Sequence, residues 1–187
     1  MVGLSGDMRL EKSYNGRPEK SYDGVLMAKG TANENIILLW LETFGKSVID
    51  FREFRLAQRI DVDFGIETID GNIVLAEIKS DKHIREDGNF LFEIFRINHF
   101  VVDKWFYLGW GYRSPAQRLI VRNPQTGDTF VFDFLKLRTF IGQHVAGQGK
   151  RLKGRIEIVE TDRQKTTFNF LIPMLKIKHL YKKYQVK

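Results

Sequence analysis

The 187-residue chain contains no cysteine, which excludes a disulfide framework and any thiolate metal site. Its four histidines, His83, His99, His144 and His179, show neither HxH nor HExxH spacing, so nothing suggests a zinc centre. There is no phosphate-cradling Walker loop, no GxGxxG fingerprint and no GxSxG nucleophile elbow. No apolar run approaches the ~20 residues of a membrane span, and the N-terminus lacks an apolar h-region. The expectation is a cytoplasmic, intracellular protein, including the product of a phage or mobile element.

What is present suits a folded domain. Hydrophobic residues make up 43% of the chain and aromatics 13%, and this length can bury a sizeable core. Charge is placed unevenly. The net charge is +7, yet residues 150–187 carry 11 Lys/Arg against 3 Asp/Glu, leaving about −1 for the rest. A basic segment on an otherwise neutral chain suits a polyanion such as DNA, and Lys150, Arg151, Lys153 and Arg113 are the candidate contacts. The plain alternative is a solvated basic tail.

Residues 1–28 are polar and glycine-rich, with a short duplication (Glu11–Gly16 and Glu19–Gly24), and read as an N-terminal extension. Thr31 to Phe44 reads as a helix, capped by Thr31 or Asn33, with Ile36, Ile37, Trp40, Leu41 and Phe44 on one face and Gly45 as its stop. Glu34 then falls in its first turn. Residues 47–50 read as a short strand, and Leu119–Arg122 with Phe130–Asp133 as a hairpin. Phe134 to His144 reads as a helix. Residues 155–160 and 167–171 form a last strand pair. Pro173 is placed to open a final helix running to about Tyr184.

The most informative stretch is Asp61-Val62-Asp63-Phe64-Gly65-Ile66-Glu67, followed by Ile73-Val74-Leu75-Ala76-Glu77-Ile78-Lys79. Side chains alternate along a strand, so Glu77 and Lys79 share a face, as do Asp61 and Asp63. A two-residue Asp70-Gly71 turn would set Phe64 opposite Glu77 and put the acids on opposite faces. A three-residue loop, Ile69-Asp70-Gly71, pairs Thr68 with Asn72 and sets Asp63 opposite Glu77, with Gly71 in the left-handed position. The three-residue loop, or a bulge of the same effect, is the prediction. Directly opposed carboxylates, with Cβ atoms ~5 Å apart, can share one metal ion. A lysine beside them can face a phosphate. The plain alternative is a Glu77–Lys79 pair at a solvated strand end.

Asp63, then Glu77-Ile78-Lys79 followed by Ser80-Asp81, resembles the motif of the PD-(D/E)xK nuclease superfamily. The proline before the aspartate is missing. Asp61 and Asp63 both have the right parity, and Asp63 is favoured for its shorter gap to Glu77. Gly88-Asn89 through Glu93 resembles the Gly-Asn-strand-Glu stretch of some phage and bacterial members. Gly109-Trp110 with Ser114-Pro115-Ala116 resembles their Gly-Trp…Ser-x-Ala loop. The likeness runs over roughly residues 30 to 140.

The resemblance implies a restriction-endonuclease-like α/β fold, a mixed central β-sheet flanked by helices. The nuclease core would span 29–145, and 146–187 would form a basic strand pair and helix packed on it. Asp63, Glu77 and the Ile78 backbone carbonyl would hold Mg²⁺ or Mn²⁺, and Lys79 would be catalytic. Glu34, Asp61 and Glu93 are possible additional ligands. The implied activity is endonucleolytic cutting of DNA to 5′-phosphate and 3′-hydroxyl ends, by a homodimer if both strands are cut.

Overall fold

The computed structural model describes residues 22–43, 47–98, 106–144, 155–161 and 165–187. In chain order its elements are helix α1 (Tyr22–Glu42), strand β1 (Val48–Asp50), helix α2 (Arg55–Arg59), and strands β2 (Phe64–Glu67), β3 (Ile73–Ser80), β4 (Asn89–Asn98) and β5 (Phe106–Leu108). Helix α3 (Trp110–Arg113), strands β6 (Arg118–Arg122) and β7 (Asp128–Asp133) and helix α4 (Phe134–Gln143) follow. Strands β8 (Arg155–Thr161) and β9 (Lys165–Pro173), a 3₁₀ stretch (Met174–Leu180) and strand β10 (Tyr181–Gln185) complete the series.

The central sheet has the order β1-β2-β3-β6-β7-β10. It is mixed: β3 and β6 run parallel and every other pair is antiparallel. The fold is therefore α/β with a mixed central sheet flanked by helices, as the sequence indicated. A second, antiparallel sheet, β5-β4-β9-β8, packs behind it. Strand β4, which carries the Gly-Asn-strand-Glu stretch, belongs to this second layer and not to the central sheet.

Alternation along the central strands sorts the core into two layers. Phe64, Ala76, Ile78 and Ile120 face α1 and meet its Ile37 and Leu41. Leu119, Val121, Phe130 and Phe132 face the other way, toward Leu137 and Ile141 of α4 and Phe90, Phe92, Phe170 and Ile172 of the second sheet. Helix α4 has the expected extent. Asp133 caps it by accepting the Lys136 N–H (3.2 Å), and Phe134, Leu137 and Ile141 form its buried stripe.

Two helix readings are corrected. Helix α1 begins at Tyr22, so residues 22–28 form its first turns, and Thr31 and Asn33 lie inside it and not at a cap. Gly24 and Gly30 cost a helix only about 1 kcal/mol each, and packing against the sheet outweighs them. Glu34 is accordingly mid-helix, away from the dipole end; the stop at Gly45 lies outside the described residues. At the other terminus, the helix expected from Pro173 to about Tyr184 is two short 3₁₀ turns meeting at Ile177, followed by β10. The buried Met174, Ile177 and Leu180 recur every third residue, the repeat of a 3₁₀ helix. Strand β10 then covers the edge of β7 that would otherwise stand bare.

Arg122 ties the ends of the described chain together. It is buried, donating to Asn33 Oδ1 of α1 (2.8 Å) and to the carbonyl of Val186 (3.1 Å). Among the described residues no helix is long and apolar enough to cross a membrane.

Candidate metal and catalytic site

The β2–β3 hairpin sets the site. Glu67 pairs with Ile73, Ile66 with Val74, Gly65 with Leu75 and Phe64 with Ala76. Thr68 N–H donates to the Asn72 carbonyl (2.8 Å), and Gly71 has φ +75°. The loop is therefore the three-residue Ile69-Asp70-Gly71 loop, and the left-handed residue is the one without a Cβ. This parity puts Asp63, Glu77 and Lys79 on the face opposite to Phe64, Ala76 and Ile78.

At the open end of the hairpin the ladder turns irregular. Asp63 N–H donates to the Ala76 carbonyl (3.0 Å), and the Asp63 carbonyl accepts from Phe51 N–H (2.9 Å). The Asp63 carboxylate bends to accept the N–H of Ile78 (2.6 Å). That bond fixes one carboxylate against the strand that carries the other.

Glu77 is 1% exposed. Across the parallel ladder its neighbour is Leu119, wholly buried, which explains the dry surroundings. One Glu77 oxygen, Oε1, pairs with the Lys79 ammonium; the other, Oε2, is buried with no hydrogen-bond partner. Burial pushes the Glu77 carboxyl up to about 8, with Lys79 opposing and Asp63 adding to the rise. Burial likewise raises Asp63 to about 6, against the pull of the Ile78 N–H and Lys79. A buried carboxylate oxygen without a partner, beside a second carboxylate, suits a bound cation, and hard oxygen donors suit Mg²⁺ or Mn²⁺.

Around this centre the other named residues take separate places. Asp61 has φ +53°, the one left-handed non-glycine among the described residues. It occupies the position after the end of α2, where its N–H donates to Gln58 (3.3 Å) and the Val62 N–H reaches Ala57 (3.1 Å). Such a Schellman closure calls for a left-handed residue, and Asp tolerates that better than most. The Asp61 carboxylate is taken by Arg113, whose Nε and Nη2 lie 2.6 and 2.5 Å from Oδ2. Ser114 Oγ donates to the Asp61 carbonyl (2.5 Å). The two aspartates take different places: Asp63 reaches the Glu77 strand, whereas Asp61 is paired with Arg113 of α3.

Glu34 lies near enough to help raise Asp63 and pairs with Arg52 at 3.6 Å. Glu93 stands buried on the second sheet, paired with Arg96 at 3.1 Å. Among the described residues no group of three or more His, Cys, Asp or Glu gathers as a metal cluster, so Glu93 and Glu34 do not complete one with Asp63 and Glu77. Arg113 is engaged with Asp61. Lys150, Arg151 and Lys153 lie outside the described residues.

Two neighbours escaped the sequence reading. Trp110 lies with its ring centre 5.3 Å from Lys79 Nζ, seated against Phe90, Phe92 and Phe134. Arg138 of α4 donates to the carbonyls of Gly111 (2.7 Å) and Ser114, pinning the loop that carries Trp110 and Arg113. The Gly-Trp resemblance drew attention to Trp110 without tying it to Lys79. A lone arginine in an amphipathic helix offered none for Arg138.

No protein family and no curated protein sequence matches the chain. Among solved structures it is similar to a bacterial homing endonuclease, I-Ssp6803I, with 13% identity and a TM-score of 0.46 over 60% of this chain and 72% of that one.

Proposed function

We propose that the chain is a metal-dependent nuclease acting on DNA, in the manner of the PD-(D/E)xK enzymes. The observation that carries this reading is the partnerless, buried Glu77 Oε2, set beside Asp63 and backed by Lys79. Asp63, Glu77 and the Ile78 carbonyl would hold Mg²⁺ or Mn²⁺. Such a cation would supply Lewis-acid polarisation of a scissile phosphate and would lower the pKa of a bound water. Lys79 supplies positive charge where negative charge grows on phosphorus, and is placed to orient the attacking water. Asp63, fixed by the Ile78 N–H, needs no reorganisation to offer its free oxygen. Hydrolysis leaves a 5′-phosphate and a 3′-hydroxyl. A homodimer is the simplest way to cut both strands.

A second reading, a non-cutting nucleic-acid-binding module, is favoured by one fact: only two carboxylates converge, and no third ligand joins them among the described residues. Incubation with supercoiled plasmid, a four-way junction and single-stranded DNA, with Mg²⁺, Mn²⁺ or EDTA, separates the two. Cutting that needs metal and is lost in Glu77→Gln supports the nuclease. Salt-sensitive binding without cutting in any metal supports the module.

A further inference from the structure

Helix α2 has no buried residue. Phe54, Leu56 and Ile60 are 61%, 73% and 37% exposed within seven positions, beside the exposed Arg55 and Arg59. Three large apolar side chains left in water on so short a segment are unusual, because apolar exposure is normally scattered. The arginines are also uncommitted. Arg52, just before the helix, is held by Asp50 and Glu34. Arg55 and Arg59 pair with no acid among the described residues, and Glu53 is the one acid within 53–60.

Spacing orders these side chains. Arg55 and Arg59 are four apart, so they form one ridge, and Leu56 and Ile60 form the next ridge around the helix. The helix is also aimed. Its closing residue is Asp61, tied to Arg113, and two residues later comes Asp63. A phosphate placed at Asp63 and Glu77 would thus have the closing residue of α2 two residues of chain away.

We infer that α2 is a docking element for duplex DNA, in which Arg55 and Arg59 hold backbone phosphates next to the scissile one and Leu56 and Ile60, on the neighbouring ridge, wedge into the adjoining minor groove. The inference rests on the nuclease reading for the position of the substrate. Charge selects this partner, since two unpaired guanidiniums beside a phosphodiester site fit a polyanion. Apolar wedges inserted from the minor groove unstack base steps and kink a duplex.

The test measures binding of a labelled duplex by the full chain in EDTA, where no cutting occurs, over a series of salt concentrations. Arg55→Ala/Arg59→Ala should weaken binding roughly tenfold near 0.1 M salt and flatten the salt slope by about two. Leu56→Ser/Ile60→Ser should weaken binding and leave the slope unchanged. Thermal melting of both variants controls for the fold, and because none of the four residues is buried, the melting temperature should hold. Unchanged affinity and slope in the arginine variant would overturn the inference. So would a self-association lost in Leu56→Ser/Ile60→Ser with DNA affinity intact, which would make the surface a contact between copies of this chain. Binding that depends on α2 in a chain that never cuts would sink the nuclease reading alone. Normal binding by both variants, in a chain that cuts, would sink this inference alone.

Discussion

The indole of Trp110 lies 5.3 Å from the Lys79 ammonium, which Glu77 Oε1 also takes. Trp110 is itself fixed by three phenylalanine rings at 5.4–6.4 Å. The cation is shared between a carboxylate and an aromatic face, and the aromatic face is the rigid partner. Cation–π contacts contribute about 0.5–2 kcal/mol. Replacing Trp110 with Leu should lower the cleavage rate about 2- to 30-fold, while Trp110→Phe retains most of it. Single-turnover rates, with melting temperatures as a fold control, would decide this. Equal losses in Phe and Leu variants would show that the ring does not hold Lys79.

Lys79 occupies one oxygen of the carboxylate that a metal would need. Lys79→Met should therefore bind Mg²⁺ or Mn²⁺ several-fold more tightly than the native chain, while its cleavage rate falls by roughly 10²–10⁴. Calorimetric titration of the metal into both proteins separates affinity from rate. A metal affinity that drops in Lys79→Met would show that the ammonium organises the ligands and does not compete with the cation.

The raised carboxyls make the metal-free fold sensitive to base. Both groups bind protons more tightly folded than unfolded: Asp63 titrates near 6 against an ordinary 3.8, and Glu77 near 8 against 4.5. The stability they contribute is complete below the ordinary values. It is lost as pH rises through 6 and then 8, because the unfolded chain has by then released protons that the fold retains. In EDTA the melting temperature should fall by several degrees between pH 5 and 8.5. Glu77→Gln, which cannot ionise, should flatten most of that decline. Metal affinity should move oppositely and rise across the same window, since both carboxylates must be free of protons to bind.

Asp61 tests the split between backbone and side chain. Asp61→Gly keeps the left-handed closure of α2 and removes only the carboxylate, so folding stability should change by no more than about 1 kcal/mol. Asp61→Leu forces a branched side chain into the same conformation and should cost about 1–2 kcal/mol. Chemical denaturation of the two variants gives the comparison. In both, Arg113 loses its partner, and DNA affinity in EDTA should rise if the freed guanidinium turns to phosphate.

The hairpin and its parity were legible in the sequence because strand periodicity is rigid: once the loop holds three residues, the faces of Asp63, Glu77 and Lys79 follow. Helix α4 was legible through its apolar spacing, although its Asp133 cap was not read and Leu135, which the spacing also offered to the core, is exposed. The start of α1 was not, because glycines at 24 and 30 signal breaks that tertiary packing overrides. The final helix was misread because its lysines and leucine favour helix locally, while the open edge of β7, about fifty residues earlier, claims Tyr181–Gln185 as a strand. The commitments of Asp61 to Arg113 and of Lys79 to Trp110 join segments roughly 30 to 50 residues apart, and no local pattern announces them.

The Ile69-Asp70-Gly71 loop is exposed and far from any chemistry, and such tips ordinarily tolerate changes in length. Here the count is quantised. Adding or removing one residue while the hydrophobic register of β3 holds would rotate the β2 side chains half a turn, carrying Asp63 to the α1 face and Phe64 into the carboxylates. Two residues could be gained without that inversion. Length variation at this tip should therefore occur in even steps wherever the chemistry is kept, and an odd step would mark a lineage in which the fold outlived its reaction.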